Sequence, residues 1–105
     1  MLQQIEDADT LNLKNGYLWD CKRKLLSHEQ RSISLTQKET LLLDLLIQKR
    51  EQCVTFEEIQ VNVWEESFEE EVSNESIKVR ITRLRKKLPH GCIKNVYGRG
   101  YIFHA

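Results

Sequence analysis

One stretch limits what this chain can become. Residues 74–88 read NESIKVRITRLRKKL, with Ser73 before them and Pro89 after. At roughly 100° per residue, Ile77, Ile81, Leu84 and Leu88 fall in one narrow stripe. Ser73 or Asn74 supplies an N-cap and Pro89 stops continuation. The spacing predicts a helix over 73–88 with one face buried. The opposite face presents Glu75, Val79, Thr82, Arg83 and Lys86. Ser76, Arg80 and Lys87 flank it on one edge, Lys78 and Arg85 on the other. A helix packed on one side and cationic on both shoulders reads as a surface for a partner, with a solvated charged face as the plain alternative.

The segments around it are short and of two kinds. Leu11–Leu13, Tyr17–Cys21, Lys24–Ser27 and Ser32–Leu35 read as strands of a small antiparallel sheet, with Asn15-Gly16 as a hairpin-type turn. The period then changes. Thr36-Gln-Lys-Glu39 is a capping box, and Leu42, Leu45 and Leu46 recur behind it at helical spacing, widened by Leu41, Leu43 and Ile47. That makes it the central buried helix. Thr55-Phe-Glu-Glu58 is a second capping box, opening a helix with Phe56, Ile59, Val63 and Trp64 on its inner side. The run from Glu65 to Glu71 is too acidic to bury. Beyond Pro89, residues 92–104 predict a hairpin whose glycine-rich tip carries Arg99 between Gly98 and Gly100.

Composition excludes several classes. The 105 residues suffice for one domain, burying roughly two-thirds of the surface of the unfolded chain. No apolar run exceeds three residues, so no segment spans a membrane. The N-terminus lacks the pattern of a signal peptide. Cys21, Cys53 and Cys92 form no C-x-x-C pair, and no cluster approaches the about four ligands of a zinc site. They read as reduced thiols of a cytoplasmic protein. His28, His90 and His104 sit in no catalytic motif, and no nucleotide-binding or hydrolase signature occurs. The expectation is a protein that is no enzyme and needs no cofactor or metal.

The formal net charge of zero conceals an asymmetry. Residues 1–72 carry 8 Lys and Arg against 15 Asp and Glu; residues 73–105 carry 8 against the single Glu75. An asymmetry this large suggests a basic face for a polyanion and an acidic face for something else. The geometry of residues 73–105 suits duplex DNA. A slim outer face can approach base edges in the major groove while cationic shoulders meet phosphates on both walls. Arginine's fork matches the two acceptors of guanine, and a solvent-facing valine matches a thymine methyl. Arg99 at a tight tip suits a narrow, electronegative minor groove.

The pattern resembles the OmpR/PhoB family of response-regulator DNA-binding domains. The residues that carry this are Leu35-Thr36-x-x-Glu39-x-x-Leu42-Leu43, Val54-Thr55-x-Glu57-Glu58-Ile59-x-x-x-Val63-Trp64, Ile77-x-Val79-x-Ile81-x-Arg83-Leu84-Arg85-Lys86-Lys87-Leu88 and Val96-x-Gly98-Arg99-Gly100-Tyr101. The resemblance implies an α+β winged helix-turn-helix: a four-stranded antiparallel sheet, three helices and a hairpin wing over 11–105, with residues 1–10 as a linker remnant or disordered N-terminus. It implies the output domain of a two-component, phosphorelay transcription regulator; nothing in the chain resembles a receiver domain, so either the domain is excised, which is the favoured reading, or the protein lacks a receiver.

It also implies roles. Val79 and Arg83, with Arg80 and Thr82, face bases or the groove; Ser76 borders it; Arg85 and Lys86 contact phosphate; Asn95 and Arg99 are wing contacts. Tyr101 is structural at the wing base, with a phosphate hydrogen bond open to it. Trp64 reads equally as a phosphate contact and as core. Glu65, Glu66, Glu69, Glu70 and Glu71 fall in the loop implicated in contacting RNA polymerase. The family binds direct repeats as tandem dimers, and a monomer in solution is expected here. Tyr97 and Thr82 depart from the pattern, standing where basic residues are common, which weakens two groove contacts. The rival reading is a winged helix that docks proteins without binding DNA. An RNA-binding module ranks lower, because the stacked aromatic sheet motifs are missing.

Overall fold

Turn chemistry builds the first layer. The computed structural model describes residues 9–64 and 73–105. Strands β1 (Thr10–Asn12), β2 (Tyr17–Asp20), β3 (Leu25–His28) and β4 (Arg31–Ile33) pair antiparallel in chain order. The first connection is a tight turn in which Asn15 and Gly16 take φ of 59° and 78°. In the second, the Asp20 carboxylate accepts from the amides of Lys22 and Arg23 at 3.0 and 2.9 Å, an Asx turn that occupies the residues after β2. This is why β3 begins at Leu25 and not at Lys24, which has φ of 58°. The third closes His28 against Arg31 through Glu29 and Gln30, both at positive φ, as in a type I′ turn. Trp19 faces Leu26 on the buried side, while Leu18 and Leu25 point outward. Thr10 pairs with Asp20, so the sheet starts one residue before the expected boundary. Leu35 lies beyond β4, in the approach to the first helix.

Both capping boxes form. Thr36 Oγ1 accepts from the Glu39 amide at 3.1 Å and Glu39 Oε1 from the Thr36 amide at 2.9 Å, starting α1 (Gln37–Gln48). Thr55 and Glu58 do the same for α2 (Phe56–Val63). Leu42, Leu43, Leu45, Leu46 and Ile47 are buried, but Leu41 is 40 % exposed and does not widen the apolar face as expected. Ser73 accepts from the Ser76 amide and caps α3 (Asn74–Arg85).

Helix α3 is shorter than the sequence suggests. It ends at Arg85, and the Lys87 and Leu88 amides close tighter bonds to Leu84 and Arg85. Pro89 disfavours helical backbone at the residue before it. Leu88 still reaches the core. The terminal hairpin, β6 (Ile93–Val96) and β7 (Gly100–Phe103), gains a third strand, β5 (Cys53–Thr55), in the order β5-β7-β6. Three residues between two helices give no periodic signal; pairing with β7 makes them a strand. Helix α1 touches α2, α3 and β7, and one continuous apolar cluster runs from Trp19 and Leu26 through the helices to Phe103. No helix among the described residues is long and apolar enough to cross a membrane.

Candidate nucleic-acid interface

The buried stripe of α3 fixes what its other side shows. Ile77, Ile81 and Leu84 are fully buried, so rotation about the axis is set and Val79, Thr82, Arg83 and Lys86 are exposed. Val79 keeps half its surface in solvent. Arg83 and Lys86 form no ion pair with any described residue. Arg80 is half-buried and likewise unpaired among them. Thr82 is exposed and donates its hydroxyl to the Lys78 carbonyl at 2.9 Å. Ser76 belongs to the cap, its hydroxyl 3.2 Å from that of Ser73.

The wing stands beside this face. Gly98 (φ 71°) makes the turn, Arg99 and Tyr97 are exposed at the tip, and Tyr97 is wholly in solvent. A cleft of about 540 Å³ separates wing from helix. Lys78, Thr82 and Arg85 border it on one side, Asn95 and Tyr97 on the other, and Tyr101 reaches it from the wing base. The tip is tied to α2, whose first amide (Phe56) donates to the Arg99 carbonyl at 3.0 Å.

Three of the expected contacts converge on one another. Arg85 Nη2 donates to the Ile93 carbonyl at 3.0 Å and to Asn95 Oδ1. The same guanidinium lies 5.7 Å from the Tyr101 ring centroid. Tyr101 is 4 % exposed and meets Phe56 edge-on. Burial raises its phenol above the ordinary value, only partly offset by the Arg85 and Lys78 cations, so it stays a neutral donor. Trp64 ends α2 half-buried against the core, with the Lys38 ammonium 5.7 Å from its ring centroid.

Lys87 is not the groove shoulder that the helical projection makes it. Its ammonium donates to Glu39 at 2.8 Å and to the Ser34 carbonyl at 2.9 Å, binding the end of the reading helix to the start of α1. Lys94, which the sequence reading misses, is exposed on β6 with no ion pair to a described residue. Strand alternation after buried Ile93 is the signal that points to it. Glu65, Glu66, Glu69, Glu70 and Glu71 lie outside the described residues.

A buried helix stripe, an exposed cationic face opposite and a hairpin beside it define a winged-helix DNA-binding domain. Residues 29–103 match the family model described as "Transcriptional regulatory protein, C terminal". The chain belongs to that family, as an OmpR/PhoB-type effector domain, a class of transcription regulators and not of enzymes. It is 30% identical to the response regulator protein GraR of Staphylococcus epidermidis over 105 residues, covering 95% of this chain and 45% of that protein. It is 31% identical to the sensory transduction protein BceR of Bacillus subtilis over 100 residues, covering 91% and 42%. The chain thus spans just under half the length of these curated relatives. The DNA-binding domain of CpxR from E. coli superposes with a TM-score of 0.71 at 29% identity, covering 90% of this chain and 94% of that one.

Proposed function

We propose that this domain is the output half of a two-component response regulator and binds a specific duplex DNA site. Helix α3 enters the major groove with Val79 and Arg83 against base edges. Arg80, Thr82, Ser76 and Lys86 border the groove walls, and Arg99 approaches the adjacent minor groove. The observation that carries this reading is the face of α3: Arg83 and Lys86 stand exposed opposite fully buried Ile77, Ile81 and Leu84, with no counter-charge among the described residues. Like charges a turn apart on a helix repel one another, so a face that gathers them unpaired suits a polyanion. Within this helix the shoulder pair Lys78–Glu75 is the sole ion pair between described residues.

The remaining parts follow the same reading. Tandem copies sit on a direct repeat, the acidic run from Glu65 to Glu71 complements a basic surface of RNA polymerase, and the protein acts in the cytoplasm. Selection of the purified chain against a random duplex library, with binding measured at two salt concentrations, tests it. Enrichment of a direct repeat with affinity falling steeply in salt supports the proposal, because phosphate neutralisation releases counterions. Salt-insensitive capture without sequence enrichment overturns it and favours the protein-docking alternative.

A further inference from the structure

We infer that Arg85 is a positioning residue which locks the wing against the reading helix, and that this, not phosphate binding, is the task of its guanidinium. The inference rests on the DNA-binding reading above. Strand β7 is held from behind, by pairing with β5 and by the Phe56 amide on the Arg99 carbonyl. Strand β6 is an outer strand of the three-stranded sheet and pairs with β7 alone. Arg85 addresses that strand at two points, the Ile93 carbonyl and the Asn95 side chain, and packs over Tyr101 on β7. One side chain of α3 therefore spans both wing strands. Arg83 and Lys86, close to it in sequence, make no comparable contact. Arginine suits the place: Nη2 alone donates to both acceptors while the planar guanidinium lies over a ring, a flat contact that a compact, strongly hydrated lysine ammonium does not reproduce. Asn95 is then a partner of Arg85 and not an independent wing contact.

Charge and geometry separate the two roles. The test uses the 105-residue chain, a fluorescent duplex enriched from the random library by the parent chain, and the variants Arg85→Lys, Arg85→Ala and Asn95→Ala. If Arg85 is a strut, Arg85→Lys loses about as much affinity as Arg85→Ala, on the order of tenfold. The salt dependence of Arg85→Lys stays that of the parent, and the double variant Arg85→Ala with Asn95→Ala is no weaker than Arg85→Ala alone. Amide exchange without DNA then rises across residues 93–99 in Arg85→Lys while the melting temperature holds. If Arg85 is a phosphate ligand, Arg85→Lys binds like the parent, Arg85→Ala reduces the salt slope by about one, and the losses with Asn95→Ala multiply. That result, or unchanged amide exchange in Arg85→Lys, overturns the inference. Should the parent bind no duplex, the DNA reading fails, and the exchange measurement still decides whether Arg85 holds the wing.

Discussion

Gly100 lies so close to Val54 that a Cβ built on it would fall 1.9 Å from the Val54 carbonyl oxygen. The two glycines of the wing thus serve different ends. Gly98 needs its positive φ, with open space around it, while Gly100 needs the absence of a side chain. Gly98→Ala should lower stability by about 1 kcal/mol, the left-handed penalty less the entropy it removes from the unfolded chain. Gly100→Ala must push β7 from β5 and should cost about 3 kcal/mol or more. Urea unfolding of both variants checks the order, and equal losses would refute the distinction.

Glu39 and Lys87 tie the start of α1 to the residues just after α3. The Glu39 side chain is 3 % exposed and that of Lys87 34 %. Burial alone would raise the Glu39 carboxyl, but the Lys87 ammonium and the Thr36 amide outweigh it and hold it below the ordinary 4.5. Its stabilising contribution is therefore present above the unfolded-state pKa and is lost as pH falls through the lowered folded one. Lys87→Met should cost about 2 kcal/mol at neutral pH, less than a fully buried pair because Lys87 keeps solvent. The stability gap between parent and variant should close in acid. An acid titration followed by circular dichroism reads this, and a gap independent of pH contradicts it.

Glu29 and Gln30 occupy a turn that suits neither. Both have positive φ in a two-residue connection where Asn-Gly is favoured. The double substitution Glu29→Asn with Gln30→Gly should raise stability by about 1 kcal/mol. It should leave DNA affinity unchanged, because the turn belongs to the N-terminal sheet. A melting temperature that falls would count against the type I′ assignment.

Arg83 and Lys86 should separate sequence reading from charge. Arg83→Ala should weaken binding to the selected duplex by about 1–3 kcal/mol and discriminate poorly at one base pair. Lys86→Ala should weaken selected and shuffled duplexes alike and lower the salt slope by about one. Anisotropy titrations on both duplexes distinguish them; equal losses for Arg83→Ala on the two would remove it from the base readers.

What the sequence determined by itself is whatever its signals write within a turn or two of chain. Both capping boxes, the buried stripe of α3 and the Gly98 turn are of that kind, and each formed where the residues placed it. The strand edges near Lys24 and Leu35 slipped because an Asx turn and a helix cap claimed neighbouring residues first. Tertiary structure alone decided the rest. Strand β5 exists because β7 returns to it. Lys87 leaves the groove face because Glu39, far back in the sequence, is buried beside it. Arg85 turns inward because Ile93 and Asn95 lie on an outer strand of the three-stranded sheet. Periodicity says which face of a helix a charge occupies. Which acceptor captures that charge depends on chain segments brought together only by burial of the core, and no local spacing encodes them.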